Sequence, residues 1–351
     1  MLLLGGLKLL SNIALAAPWR LSRRTFKVAI VGAGGGIGQP LSLLLRSGPG
    51  IKELALHDLV EMKGIATDLS HVSKSGMVTS FSGENMLEPA VSCADLVVVA
   101  AGMPRLPGMQ RDQLMAANGQ VAVKVATAVS VACPEALLAF ITNPVNMIVP
   151  AAAEVLKVNG IYDPCRLFGI TTLDVVRSEK FIGDFMKISP DNVKIPVIGG
   201  HAGITILPLF SQCQPEFHGD KAVIKEMTHR IQEAGTEVVK AKAGKGSATL
   251  SMAFAGARFV DSLLRGLKGE KGIVECAYVA SELTDAPFFA SPLELGKDGI
   301  ERFLPLPTMS STEEEAVAKL IPVVQENAKE GIDFARKCLE ESMEVFPSSL
   351  P

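Results

Sequence analysis

FKVAIVGAGGGIGQPLSLLLRSG, residues 26–48, reads as a short apolar strand, a turn made almost wholly of glycine, and an apolar-periodic helix. Val28 to Val31 carry the strand, and Gly32, Ala33, Gly34, Gly35, Gly36, Ile37 and Gly38 carry the turn. Gly32, Gly35 and Gly38 fall at three-residue intervals. The stricter G-x-G-x-x-G spacing would need glycine where Ile37 stands. The physics survives the variation: glycines let the main chain approach a pyrophosphate, and the helix N-terminus offers unpaired N–H groups and a positive dipole end. A tight strand-to-helix turn also needs glycine, so the loop alone does not decide. KELALHD, residues 52–58, adds a second strand ending in Asp58, twenty residues beyond Gly38. An acid there accepts hydrogen bonds from a ribose and repels a 2′-phosphate, which predicts NAD rather than NADP. No G-x-x-x-x-G-K-[ST] run occurs, which sets a P-loop aside.

Two more strands follow, ADLVVVAAG ending at Gly102 and ALLAFITNP ending at Pro144, with the helical AANGQVAVKVATAVSVAC between them. Alternating strands and helices predict a Rossmann-type, doubly wound parallel sheet. Ligands then collect at the carboxyl ends of its strands, where Gly102 and Asn143 would sit. At 351 residues the chain exceeds one ordinary domain. We divide it into an NAD-binding half, residues 26–170, and an α+β substrate and catalytic half, residues 171–346.

Composition narrows the classes. Hydrophobic residues make up 48% and charged ones 20%, an ordinary core-forming mixture. A net charge of -3 shows none of the basic excess that nucleic-acid binding leaves. Six cysteines without a C-x-x-C pair predict reduced thiols and no zinc. Glu313, Glu314 and Glu315 are expected to open an exposed helix. The start, MLLLGGLKLLSNIALAAPWRLSRRTF, carries Lys8, Arg20, Arg23 and Arg24, and no acid precedes Glu53. That pattern predicts an organellar transit peptide over residues 1–25 and a mitochondrial location. Lys8 interrupts its apolar run short of the ~20 residues a membrane span needs, so no stable membrane insertion is expected.

Four segments carry chemistry. AGMPRLPGMQRDQ holds Arg105 and Arg111 around a Pro-Gly pair, either a solvated loop or a closing lid that brings cations to an anion. ITNPVN places Asn143 at a strand's carboxyl end, where Asn-Pro also starts turns. GITTLDVVRSEKF sets Asp174 and Arg177 three apart on one helix face, by default a local ion pair. IPVIGGHAGITILPL puts His201 among glycines and aliphatic residues, and Asp174 is the candidate partner to fix its tautomer. His57, His71, His218 and His229 stand in polar or helical settings and read as incidental.

With VAIVGAGGGIGQPLSLLL, AGMPRLPGMQRDQL, ITNPVN, TTLDVVRS, IPVIGGHAGITILPL and ATLSMAFAGARF together, the chain resembles the NAD-dependent lactate/malate dehydrogenase family, on its malate side and nearest the mitochondrial type. The resemblance implies reversible oxidation of (S)-malate to oxaloacetate, a small dicarboxylate substrate, by a homodimer. It implies His201 as proton acceptor, Asp174 as the carboxylate that orients it, and Arg177, Arg105 and Arg111 as grips on the substrate's carboxylates and reacting oxygen. Asn143 would hydrogen-bond that oxygen. Residues 32–38 would cradle the pyrophosphate and Asp58 the ribose, while Asn118, Ile141, Thr142, Asn143 and Met252 would line the nicotinamide end. Leu106 and Gln110 depart from the residues usual at those two places.

Overall fold

The computed structural model describes residues 25–104 and 111–345. The proposed transit peptide and Arg105 lie outside the described residues, and Arg111 is described only as the first residue of a helix.

Strand β1 (Phe26–Val31) pairs in parallel with β2 (Ile51–Asp58), and β2 with β3 (Met77–Ser82). On its other side β1 pairs with β4 (Leu96–Val99), which continues to β5 (Leu137–Phe140) and β6 (Leu167–Gly169). The resulting order, β3-β2-β1-β4-β5-β6, is that of a doubly wound dinucleotide-binding sheet, with its reversal between β1 and β4. Both faces of β1 are buried. Ala29 and Val31 enter one apolar cluster, Val28 and Ile30 the other, as period-two alternation requires of a strand covered on both sides. Burial of each of Val28, Ile30 and Val31 contributes about 1.5–3 kcal/mol.

Helices α1 (Gly38–Ser47) and α8 (Leu250–Leu267) pack together over one face. Helices α4 (Arg111–Ala132), α5 (Val145–Val158) and α9 (Ser311–Val345) cover the other. Sandwiched between α4 and α9, α5 is buried on nearly all sides, so its sequence VNMIVPAAAEVL carries no polar stripe.

The sheet does not stop at β6. Gly169 of β6 pairs antiparallel with Tyr278 of β9 (Ile273–Ala280), and a Cβ at Gly169 would meet Val145 at 2.5 Å. Beyond β9 come β10 (Phe288–Gly296), β7 (Val197–Gly199) and β8 (Ile206–Pro208), with β11 (Gly299–Phe303) paired to β10. Among the described residues, eleven strands form one mixed sheet that runs through both halves of the chain. A third apolar cluster joins α6 (Thr172–Met186) and α7 (Lys221–Ala241) to β7 and β8.

Three local expectations need correction. The strands expected to reach Gly102 and Pro144 end at Val99 and Phe140. There the Thr142 hydroxyl donates to the Ala101 carbonyl at 2.7 Å, and Gly102 turns the chain out of the sheet at φ +140°. The glutamates do open α9, but Glu313 is 7% exposed, not solvated: it accepts from Ser310 and from the Ser211 N–H. His57 is no polar-setting residue either; it is 4% exposed inside β2.

Candidate active site

Gly32 and Gly38 are required by close main-chain contact. A Cβ on Gly32 would come 2.3 Å from the Ala101 nitrogen, and one on Gly38 would come 2.1 Å from the Gly32 oxygen. They let the turn, β4 and α1 close on one another. Gly35 and Gly36, by contrast, are exposed, while a Cβ on the half-buried Gly34 would meet Val60, Asp58 and Met62 at 3.0–3.2 Å. The His57 carbonyl accepts from the N–H groups of Gly32 (2.8 Å) and Ala33 (3.0 Å), which pins the turn to the end of β2. Asp58, the next residue, accepts from the N–H of Gly34 (2.9 Å) and of Leu59 (2.7 Å). The N–H groups of Gly36, Ile37 and Gly38 make no hydrogen bond among the described residues and sit at the N-terminus of α1. Free donors, a positive dipole end and a half-exposed carboxylate suit a pyrophosphate followed by a ribose.

The next two strand ends are tied to each other. Asn118 of α4 is 1% exposed; its Oδ1 accepts from the Met103 N–H at 2.7 Å, and its Nδ2 donates to the carbonyls of Asn143 (2.7 Å) and Met103 (3.1 Å). Its amide holds the two loops after β4 and β5 rather than standing free. Asn143 is exposed beside it. Ile141, Thr142 and Met252 are buried beneath, at 2%, 5% and 4% exposure.

After β6 the chain turns directly into α6, which places Asp174 in its first turn. His201 sits at the tip of the β7–β8 hairpin. Its Nδ1 lies 2.5 Å from Oδ2 of Asp174, with the carboxylate fully buried and the imidazole 9% exposed. The Nδ1–H donates to the carboxylate, which leaves Nε2 as the ring's other functional atom.

Arg177 lies one helical turn on from Asp174, yet it forms no ion pair with it at contact distance, contrary to the default expectation from their spacing. The Arg177 Nη2 and the Asp174 Oδ1 are buried without a hydrogen bond among the described residues. Burial pulls the guanidinium below its ordinary range, with the Asp174 charge opposing that effect. An unmet buried donor costs about 1–3 kcal/mol, more when charged, and a ligand carboxylate would satisfy it.

Sequence reading missed Asn146, whose Oδ1 accepts from the His201 N–H at 2.8 Å. The signal was present: an asparagine inside the otherwise apolar first turn of α5 must find partners once buried. Thr249 is a second omission; a Cβ on Gly36 would lie 3.0 Å from its methyl group, so this residue borders the glycine loop. Among the described residues no His, Cys, Asp and Glu group is placed to hold a metal ion.

A sheet that presents a dinucleotide cradle at one set of strand ends and a carboxylate-backed imidazole at the next defines a dehydrogenase, one that moves a hydride and a proton together. Residues 26–169 match the NAD binding domain of lactate/malate dehydrogenases, and residues 171–335 match their alpha/beta C-terminal domain. The chain belongs to the lactate/malate dehydrogenase family and is an NAD-dependent oxidoreductase. It is 48% identical over 310 residues to mitochondrial malate dehydrogenase of Bos taurus, covering 88% of this chain and 92% of that protein. Against mitochondrial malate dehydrogenase of Caenorhabditis elegans the identity is 49% over 322 residues, 92% of this chain and 94% of the other. The crystal structure of Cryptosporidium parvum malate dehydrogenase aligns at a TM-score of 0.76 and 25% identity, over 87% of this chain and 98% of that one.

Proposed function

We propose that this protein catalyses the reversible oxidation of (S)-malate to oxaloacetate, with His201 as proton acceptor. The carrying observation is the fully buried Asp174 carboxylate 2.5 Å from His201 Nδ1, with Arg177 on the same helix and its Nη2 buried without a hydrogen bond among the described residues. NAD, when bound, would supply the acceptor for the hydride from the substrate's C2. Residues 32–38 would hold its pyrophosphate and Asp58 its ribose, with Ile141, Thr142, Asn143 and Met252 toward the nicotinamide end and Asn118 fixing the loops there.

In the oxidative direction His201 Nε2 removes the proton of the C2 hydroxyl as the C–H bond breaks. Asp174 stabilises the imidazolium that results and keeps the ring in the tautomer that leaves Nε2 free. A general base so placed contributes ~10²–10⁴-fold. Arg177 binds the C1 carboxylate through paired N–H donors. Arg105 takes the distal carboxylate and Arg111 polarises the reacting oxygen, both assigned from sequence alone. Asn143 donates to that same oxygen. Electrostatic stabilisation strengthens as charge builds there, because fixed donors need no reorganisation.

We read residues 26–170 as the cofactor half and 171–346 as the substrate half. The packed pair α1 and α8 leaves Leu43, Leu44, Leu250 and Phe254 exposed, and we assign that face to the interface of a homodimer. The mitochondrial naming of the relatives and the acid-free start of the chain support a matrix location with residues 1–25 as transit peptide.

The test is steady-state kinetics on protein lacking the first ~25 residues, with oxaloacetate and pyruvate as substrates and NADH and NADPH as cofactors. The proposal expects kcat/KM to favour oxaloacetate with NADH by orders of magnitude. Equal or greater efficiency with pyruvate would reassign the substrate.

A further inference from the structure

Asn146 is 1% exposed, and every polar atom of its side chain is used. Its Oδ1 accepts from the His201 N–H at 2.8 Å, and its Nδ2 donates to Thr205 Oγ1 at 3.2 Å and to Asn327 Oδ1 at 3.3 Å. The orientation of the amide is forced, because a main-chain N–H can only donate. Its own carbonyl accepts from the buried Tyr278 hydroxyl at 3.2 Å, which ties the start of α5 to β9. Thr205 in turn closes the catalytic loop: its Oγ1 accepts from the Ala202 N–H and donates to the Ala202 carbonyl, and its own carbonyl accepts from the Gly200 N–H. The loop lies flush on this group, since a Cβ at Gly200 would be 2.7 Å from both Asn146 Nδ2 and Thr205 Oγ1.

We infer that Asn146 is a positioning residue for His201, which fixes the histidine's main chain while Asp174 fixes its ring. This rests on the reading of His201 as the proton acceptor. The two anchors come from different helices: Asn146 from the first turn of α5 and Asp174 from the first turn of α6. A single contact at Nδ1 leaves the imidazole free to pivot about the carboxylate. Holding the histidine's N–H as well removes that freedom and sets where Nε2 points. Through Asn327, 6% exposed on α9, the C-terminal helix takes part in the same restraint. A misplacement of about 1 Å at a reacting atom can lower the rate by ~10²-fold while substrate affinity changes little.

The test compares Asn146→Ala with Asn146→Asp in the full chain, measuring kcat and KM for oxaloacetate and the NADH dissociation constant by fluorescence. Asn146→Ala removes the acceptor and is expected to lower kcat by about 10–10²-fold, with KM and NADH affinity nearly unchanged. Asn146→Asp keeps an acceptor for the His201 N–H and is expected to restore most of the lost kcat. Unchanged kcat in Asn146→Ala overturns the inference. So does a parallel loss of kcat, NADH affinity and cooperative melting that Asn146→Asp does not relieve, which marks a general core role. In the unmutated protein, the His201 amide must exchange its hydrogen slowly for a loop position. Exchange at the rate of an unprotected loop amide overturns the inference whatever the variants do. An unmutated protein with no oxaloacetate turnover would instead refute the proposed function, so the two failures are distinct.

Discussion

Asp174 and His201 stand 27 positions apart in sequence and 2.5 Å apart in space, joined because the start of α6 and the tip of the β7–β8 hairpin meet at one end of the sheet. The carboxylate is fully buried and its second oxygen makes no hydrogen bond among the described residues. Its role in the structure is therefore concentrated on the imidazole.

Replacing Asp174 with asparagine keeps the size and removes the charge that stabilises an imidazolium. It also permits the wrong tautomer at His201. We expect kcat to fall by about 10³–10⁴-fold with NADH affinity within a small factor of the unmutated value. A fall in NADH affinity with little change in kcat would contradict this role.

Gly38→Ala forces a Cβ to within 2.1 Å of the Gly32 oxygen and 2.6 Å of the Ala33 Cα, both main-chain atoms. The turn must shift, at a cost of about 1–3 kcal/mol. NADH binding titrations should show weaker affinity than for Gly36→Ala, whose new methyl meets only the Thr249 side chain at 3.0 Å. Equal affinities for the two variants would show that the turn's geometry is not what binds the cofactor.

Asp58→Ser removes the carboxylate that accepts from the Gly34 N–H and with it the charge that would repel a 2′-phosphate. The ratio of kcat/KM for NADH over NADPH is expected to drop by about tenfold or more, worth 1.4 kcal/mol per decade. An unchanged ratio would remove Asp58 from cofactor selection.

His57 makes stability depend on pH. Burial lowers its basicity below the ordinary 6.5, with the Gly83 carbonyl and Asp58 opposing that effect. As pH falls through 6.5 the unfolded chain takes up a proton that the folded chain does not yet bind. The folded state is thus favoured above that pH and loses stability below it, down to the lowered folded value. Tm against pH should fall less steeply between pH 6.5 and the lowered value for His57→Gln than for the unmutated protein. Parallel curves would show that His57 does not contribute.

The first half of the fold was legible because its determinants are local. Glycine spacing, two apolar runs and Asp58 sit within 33 residues, and β1, β2 and the turn follow from them. His201 and Asp174 were legible as types: an imidazole flanked by glycines and an acid opening a helix. The continuation of the sheet from β6 to β9 was not, since Gly169 and Tyr278 are over a hundred residues apart and the pairing is set by packing, not by pattern. Asn146 escaped for the same reason. Its partners His201, Thr205 and Asn327 are all remote, and an asparagine near a proline reads locally as part of a turn. His57 was misjudged because a histidine's own neighbours do not reveal that both faces of its strand are covered.

The most direct measurement is NADH oxidation on addition of oxaloacetate by the unmutated protein and by His201→Asn, with NADH binding measured on both. The account predicts rapid oxidation by the first, a loss of about 10²–10⁴-fold or more in kcat for the second, and similar NADH affinity in each. Turnover by His201→Asn at the unmutated rate would contradict it.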